Sequence, residues 1–463
     1  MLDFHLIKKV KIIDRQLFVE KIEILILLVQ LDYFIKLIAL QYSNFQQKNY
    51  SEMKHLDGIE MPADRLIKWV KESCIGTIYG YKFSFKEGLQ IDMMRYAGVG
   101  RSLLENWASL KEDINLEGPG VICLSGTSYS PGSAHYNLKA EPDILLKGIK
   151  GEGRITMQFM PMLDNDNERF IRISGGNFDY KEDNLKELIR KNIRTIKYQL
   201  QKSKRKVLII VNSYDDCESV GEILSYKNEF TYRIVGKENN ENKFMITKDN
   251  LENFEALTDG ADICVVPLSI ISRGYNILSR EKNEDGSENS YFGSAFFLIR
   301  PYMVPGDFDS YIQMLHHKLN KIIEEVQNKY ADYDTRLEAF RKSCFVEYKD
   351  ILSIGFWSRL SPEDRDIMAW FMLVPIKQAI GRMQRNGNDC EVFFCDEAFC
   401  TAIEKQEEQN EKNSIFYAWN SLLKNYMHND VIRNLFGNFS NSLESLIKDI
   451  NNKYINQYEE EIY

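Results

Sequence analysis

The sequence predicts an α/β fold: a parallel sheet covered by helices, with a helical N-terminal region, a helical insertion and a helical C-terminal tail. Two patterns carry that expectation. Between about 206 and 400, short continuous aliphatic runs alternate with stretches at helical spacing, and the runs lack the in-out alternation of a half-exposed strand. The chain is also 463 residues long, enough for two or three domains each with its own core.

In chain order, Val207–Val211 reads as a buried strand and about 216–225 as a helix. Phe230–Val235 is a second strand, 248–257 a second helix, Ile263–Leu268 a third strand, Ala295–Arg300 a fourth and Val392–Asp396 the last. A helical insertion of about 308–370 interrupts them, and the residues beyond 401 read as helix. Upstream, 59–118 reads as mostly helical and ends at the Gly118-Pro119-Gly120 turn, after which Val121–Leu124 reads as a short buried strand. This divides the chain into 1–50, 51–150, 151–400 and 401–463.

Hydrophobic residues at 44% and charged residues at 27% are the proportions of a folded globular protein. The net charge of −9 excludes non-specific coating of nucleic acid, although a local basic channel is compatible with it. Eight cysteines contain no Cys-x-x-Cys pair, so neither a zinc site nor a disulfide framework is expected; reduced thiols and a cytoplasmic setting are. The apolar run Ile24–Val29 is flanked by Lys21, Glu23 and Asp32 and is too short to span a bilayer, so no membrane role is expected.

Two segments carry concentrated charge. Lys181–Lys206 combines ten cations, among them Lys191, Arg194 and Lys197, with Leu185, Leu188, Ile189, Ile193 and Ile196 at helical spacing. It reads as an amphipathic helix whose basic face is either solvated or in contact with phosphates. The second segment is Gln378-Ala-Ile-Gly381-Arg382-Met-Gln-Arg385. On a continuous helix Gln378, Arg382 and Arg385 share one face at i, i+4 and i+7, where two forked guanidiniums suit the spread charge of a transferring phosphoryl group. Gly381 would admit another backbone closely, and Asn386-Gly387 would stop the helix.

Gln-x-x-Gly-Arg-x-x-Arg resembles motif VI of superfamily 2 nucleic-acid helicases. Other segments resemble that family in the same order. Leu124-Ser125-Gly126-Thr127-Ser128 is similar to motif III, Lys206–Val211 with Asn212-Ser213-Tyr214 to motif IV, and Asp262–Ser269 with Ser272-Arg273-Gly274-Tyr275-Asn276 to motif V. Phe297–Asp307 resembles the proline-rich stretch of the DinG and XPD branch, and the Ser-Gly-Thr-Ser-Tyr-Ser-Pro-Gly run a helicase type that accompanies prokaryotic Argonaute-like defence modules.

The resemblance covers about 90–400 and implies the second RecA-like motor lobe. It implies Arg382 and Arg385 as arginine fingers with Gln378 orienting groups nearby, and Gly274, Asn276 and Gly381 at the nucleotide. It further implies Ser213, Ser269 and Arg273 on the strand backbone, and Ser125, Thr127 and Ser128 coupling the lobes. Asn276 stands where an Asp is frequent, which removes a charge but keeps a hydrogen bond to ribose feasible.

The given sequence has no Gly-x-x-x-x-Gly-Lys-[Ser/Thr] loop and no Asp-Glu box. Its Gly236-Lys237 pair precedes Glu238, with Thr231 where such a loop needs glycine. ATP and Mg²⁺ are therefore expected only with a first motor lobe or another helicase subunit, without an iron–sulfur cluster, and the further partner is single-stranded nucleic acid, taken as DNA. Two other functions compete: a catalytically inactive helicase-derived module that binds nucleic acid or a protein, and an unrelated α/β nucleotide- or sugar-binding enzyme.

Overall fold

The computed structural model describes residues 19–20, 22–28, 30–31, 34–35, 78–84, 90–96, 107–109, 120–127, 129–138, 141–146, 151–166, 168–227, 230–236, 244–247, 250, 258, 260–272, 278–282, 288–303 and 307–455. The chain divides into two units, Met1–Val121 and Ile122–Tyr463.

In the first unit the described residues between 19 and 35 are helical, with Ile22 and Ile26 buried and Ile24, Leu27, Leu28, Leu31 and Phe34 exposed. Strands β1 (Ile78–Ser84) and β2 (Gln90–Tyr96) form an antiparallel hairpin. This corrects the helical reading of 59–118 at these strands; most of the remainder of that range lies outside the described residues. Tyr79, Tyr81 and Phe83 recur every second residue, a strand period that a search at helical spacing passes over.

The second unit is built on a seven-stranded, all-parallel sheet. Its strands are β3 (Ile155–Phe159), β4 (Lys206–Val211), β5 (Tyr232–Gly236), β6 (Met245–Thr247), β7 (Ile263–Pro267), β10 (Phe292–Phe297) and β11 (Cys390–Phe394), in the order β3-β11-β10-β4-β7-β5-β6. An antiparallel pair, β8 (Leu278–Lys282) and β9 (Glu288–Ser290), precedes β10. The central strands are buried on both faces, the reason their sequences read as unbroken aliphatic runs. From β4 the chain proceeds to the β5 side of the sheet and from β10 to the β11 side, so adjacent β4 and β10 bound a topological switch point.

One face is covered by helices α1 (Lys181–Ser203) and α2 (Tyr214–Lys227). Leu185, Leu188, Ile189, Ile193 and Ile196 of α1 pack on Val207, Ile209, Val265, Phe296 and Phe393. The aliphatic stripe at three- and four-residue spacing thus does what its period requires. Helix α1 stops where Lys204 turns left-handed at φ 52°, so the sheet resumes two residues later.

A short helix α3 (Leu268–Ile271) follows β7. The insertion comprises α4 (Phe308–His317), α5 (Leu319–Lys329) and α6 (Tyr333–Leu352). It is shorter than the sequence suggested, because a fresh helix, α7 (Pro362–Gly381), starts at an N-cap Ser361 with proline in its first turn. Lys318, at the α4–α5 junction, holds the insertion to α7 through Glu347 and Asp364, each at 2.6 Å. Burial opposes its charge, but the two carboxylates outweigh that and keep its pKa above the usual lysine value.

The tail folds as α8 (Ala402–Lys405), α9 (Ile415–Tyr426) and α10 (Asp430–Ile450). With α7 it forms an aromatic layer on the sheet's other face. Phe394 contacts Phe416 at 5.1 Å, Phe416 contacts Phe159 at 5.5 Å, and Trp419 donates to the Ala369 carbonyl at 3.0 Å. Cys390, Cys395 and Cys400 are buried in these layers, and burial pushes Cys390 up to about 12 and Cys400 up to about 11. No described helix is long and apolar enough to cross a membrane.

Candidate functional site

The residues that end α7 do not lie on one helical face, as their spacing predicted. The helix stops at Gly381; Arg382 is its C-cap, and Arg385 opens a separate 3₁₀ turn, Arg385–Gly387. The cause is local. The Arg382 and Met383 amides bond to the carbonyls three residues back, Ala379 at 3.2 Å and Ile380 at 2.9 Å, which tightens and ends the helix. Asn386 (φ 58°) and Gly387 (φ 78°) then turn the chain into β11. The Asn-Gly pair ends this second turn rather than the helix itself.

Gln378, Arg382 and Arg385 still belong to one neighbourhood. Arg382 is buried, and its Nε donates to the Ile271 carbonyl at 2.9 Å. Burial, and then the nearby Arg385, lower the Arg382 pKa to about 10; burial alone lowers that of Arg385. Both guanidiniums remain charged at neutral pH. Arg385 is half-buried and forms no ion pair among the described residues. Its turn is fixed from behind: Gln384 Nε2 donates to the Gly153 carbonyl, and Asn388 Nδ2 to the Arg385 carbonyl at 2.7 Å. A Cβ on Gly153 would stand 1.8 Å from the Asn388 carbonyl oxygen, so only glycine admits this approach. Gly381 differs from the expectation, since a Cβ there would meet nothing within 4 Å and no described backbone presses on it.

Gln378 Nε2 donates to Thr127 Oγ1 at 2.5 Å across 251 residues of sequence. The motif III-like segment is therefore docked on α7, and Arg382 ties α7 to the segment that follows β7. Ser125 Oγ accepts the Thr127 amide at 3.2 Å, a local contact. Ser128 lies outside the described residues. Beyond Thr127 the chain packs closely on the tail: Ser130 and Ser133 are buried, and a Cβ on Gly132 (φ +89°) would meet Tyr426 Oη at 2.7 Å.

The preceding Val121–Leu124 forms no strand, contrary to expectation. Val121, Ile122 and Leu124 are 42%, 89% and 87% exposed. A strand in this composition needs a sheet on at least one edge, and the described residues offer it none.

The described strand-contact candidates follow the central strands of the sheet. Ser213 follows β4, where its Oγ accepts the Asp216 amide at 3.2 Å and helps begin α2. Ser269 follows β7 and is exposed. These residues sit at the carboxyl ends of their strands, whereas Arg385 precedes the amino end of β11. Arg273, Gly274 and Asn276 lie outside the described residues. On α1, Lys191 Nζ donates to the Asp164 carbonyl at 3.2 Å and pairs with Glu187 at 3.5 Å; Lys197 stands over Phe230 at 5.8 Å, and Arg194 is exposed.

Two residues at the carboxyl edge were not singled out from the sequence. Asp396 is fully buried and accepts the amides of Ile173, Ser174, Arg300 and Ala398 at 2.9 to 3.1 Å. It stitches three segments together beside the switch point. Arg300, also buried, donates Nη1 to the Ala398 carbonyl at 2.9 Å, and burial lowers its pKa. A lone arginine at the end of the run Phe296-Phe297-Leu298-Ile299 was the signal available for it.

No family profile and no curated protein matches the chain. Among solved structures it is similar to S. tokodaii Xpd4, with 13% identity and a TM-score of 0.30 over 68% of this chain. The match spans 46% of that protein's length. A likeness this loose assigns nothing, and the functional reading stands on the chain's own residues.

Proposed function

We propose that the second unit is the second motor lobe of a superfamily 2 nucleic-acid helicase or translocase, completed by a first lobe that supplies the phosphate-binding loop and the Mg²⁺ carboxylates. The parallel α/β architecture is consistent with a RecA-like domain. The observation that carries the reading is the convergence of the three motif-like segments: Gln378 on Thr127, and Arg382 on the carbonyl of Ile271, beside an Arg385 that no described carboxylate neutralises. Arg385 on its fixed turn suits a γ-phosphate presented from outside, and Arg382 holds that turn to the segment after β7. Gln378 and Thr127 would transmit closure of the lobes. Gly274, Asn276 and Gly381 remain the proposed nucleotide contacts, and Ser213, Ser269 and Arg273 the proposed strand contacts.

The exposed Val121–Leu124 supports the need for a first lobe, because aliphatic residues ahead of a docked Thr127 suit an edge of that lobe's sheet. ATP hydrolysis should be absent for this chain alone and appear when a first lobe carrying the loop and the Asp-Glu box is supplied. Turnover unaffected by Arg382→Ala and Arg385→Ala in that assembly would remove the proposal.

The inactive binding module is favoured by one feature: these residues include no phosphate-binding loop. It predicts nucleic-acid or protein binding with no nucleotide dependence even in the assembly.

A further inference from the structure

Ser213 and Ser269 stand at the carboxyl ends of their strands and Arg385 at the amino end of β11, and one connection joins the two levels. From β7 the chain passes α3 at the carboxyl ends and re-enters the sheet at β10, which runs parallel to β4 and β11 and starts level with them. The connection includes the β8–β9 pair, and in sequence it carries Arg273, Gly274 and Asn276.

Both ends of this connection are fastened to the arginine site. At its start the Ile271 carbonyl accepts Arg382 Nε at 2.9 Å. At its end β9 lies beside the Arg385–Gly387 turn, and a third arginine bridges the two. Arg205 Nη1 donates to Ser290 Oγ at 2.5 Å and to the Phe292 carbonyl at 3.3 Å, while its Nη2 donates to the Asp389 carbonyl just past the turn. Ser290 is fully buried, and its hydroxyl donates to the Phe292 carbonyl at 3.4 Å, which leaves an oxygen lone pair for Arg205. The stem of Arg205 is held as well: a Cβ on Gly293 would stand 3.1 Å from Arg205 Cβ and 2.7 Å from Ser203 Oγ, so β10 closes directly on it.

A guanidinium is a rigid planar fork, so bonds from both terminal nitrogens fix the separation of the groups they reach. Ser290 and Asp389 therefore shift together. The Asp389 carboxylate also accepts the Arg154 amide at 2.7 Å, which ties the same turn to the start of β3.

We propose that Arg205 is a positioning residue that relays the state of the β7–β10 connection to Arg385, so that a strand held at the carboxyl ends sets the guanidinium at the amino ends. The inference rests on the motor reading and deepens it. Displacement of the connection is passed on at its start through Arg382 and at its end through Ser290, Arg205 and Asp389. A relay of this kind changes turnover on the order of tenfold. Its effect falls on rate and not on ATP affinity, because the Arg205 guanidinium is occupied by protein oxygens.

Two measurements test it. In the full chain, hydrogen exchange of the Gly387 and Asn388 amides, bonded to the Gln384 and Arg385 carbonyls at 3.2 and 3.3 Å, should quicken about tenfold in Arg205→Met, with the β4 amides unmoved. Ser290→Ala removes only the partner in β9 and should quicken the same amides to a lesser degree; it decides the matter where Arg205→Met does not fold. In the assembly with a first lobe and oligo-dT, Arg205→Met should lower kcat for ATP about tenfold while KM stays within about twofold. Arg205→Lys should lower kcat equally, since an ammonium does not span both partners. Adding Ser290→Ala to Arg205→Met should cost nothing further.

Unchanged exchange at Gly387 and Asn388, a rise in KM in place of the fall in kcat, full activity in Arg205→Lys, or additive losses in the double variant would each overturn the relay. A wild-type assembly without turnover removes the motor reading instead, and the exchange measurement then still decides whether Arg205 holds the turn.

Discussion

The two cationic segments met in the sequence have opposite fates in the fold. Along α1, Lys181 pairs with Asp216 at 2.6 Å, Lys186 with Glu182 and Glu222 at 2.6 Å each, Lys191 with Glu187 at 3.5 Å, and Lys202 with Glu391. At the end of α7, Arg385 is held on a fixed turn with no described carboxylate against it. Three cations of the denser run, Lys181, Lys186 and Lys202, hold α1 to its neighbours while Arg190 and Arg194 stay exposed in solvent, and the sparser one keeps a half-buried guanidinium on a fixed turn. Counting cations ranks these segments wrongly; asking which carboxylates fold against them ranks them by availability.

The largest effect that could break this contrast is at Arg385. In a two-lobe assembly Arg385→Ala should lower steady-state ATP turnover by about 10³-fold or more, and Arg385→Lys should recover little, because a point charge does not reproduce a fork. Recovery by lysine would reduce the site to bulk electrostatics. Next is the support of the turn. Gly153→Ala forces a methyl into the Asn388 carbonyl and should cost about 3 kcal/mol in chemical denaturation, a steric cost typical of such sites. A loss under 1 kcal/mol would show that the turn is free to shift.

Glu397 extends the contrast to an acid. It is buried 3.7 Å from Arg172, and burial raises its pKa to about 7 despite that cation. The folded chain therefore holds a proton that the unfolded chain releases near the ordinary glutamate value, so stability falls as pH rises from about 4.5 to about 7. Glu397→Gln should flatten this dependence, by about 2 kcal/mol on an order-of-magnitude scale, and melting curves at pH 5 and pH 8 would show it. A slope that survives the substitution would assign it to another group.

The smallest effects are expected on α1. Lys186→Gln should cost below about 1 kcal/mol, since its partners Glu182 and Glu222 are exposed. Neutralising Lys191, Arg194 and Lys197 together should change the salt slope of oligonucleotide binding by less than one contact, about 0.7. A larger change would return that helix to the interface.

The α/β class was legible because central strands of a parallel sheet are wetted on neither face: Val207–Val211 and Ile263–Pro267 can be read directly. Strand β3 was not read because it is an edge strand whose Ile155, Met157 and Phe159 alternate with exposed Thr156 and Gln158, a pattern outside the search for continuous runs. Strands Phe292–Phe297 and Cys390–Phe394 begin two or three residues earlier than expected, since Ser294, Gly293 and Glu391 hide apolar edges. At the site, the residue set Gln378, Arg382 and Arg385 was visible but its geometry was not. Where a helix stops depends on which amides find carbonyls three residues back, and here the amides of Arg382 and Met383 do so without any change in the hydrophobic pattern. The Thr127–Gln378 bond spans a separation that no local rule reaches.

The unpaired Val121–Leu124 stretch has a practical corollary. A purified sample of the chain presents an exposed aliphatic stretch of strand-forming composition, able to pair with a sheet edge it encounters, including one on its own copy. Size-exclusion profiles of such a sample would drift upward with concentration. Oligomers seen there would report this adhesive stretch, and a soluble preparation would call for a polar replacement at Ile122 or Leu124 before stoichiometry is measured.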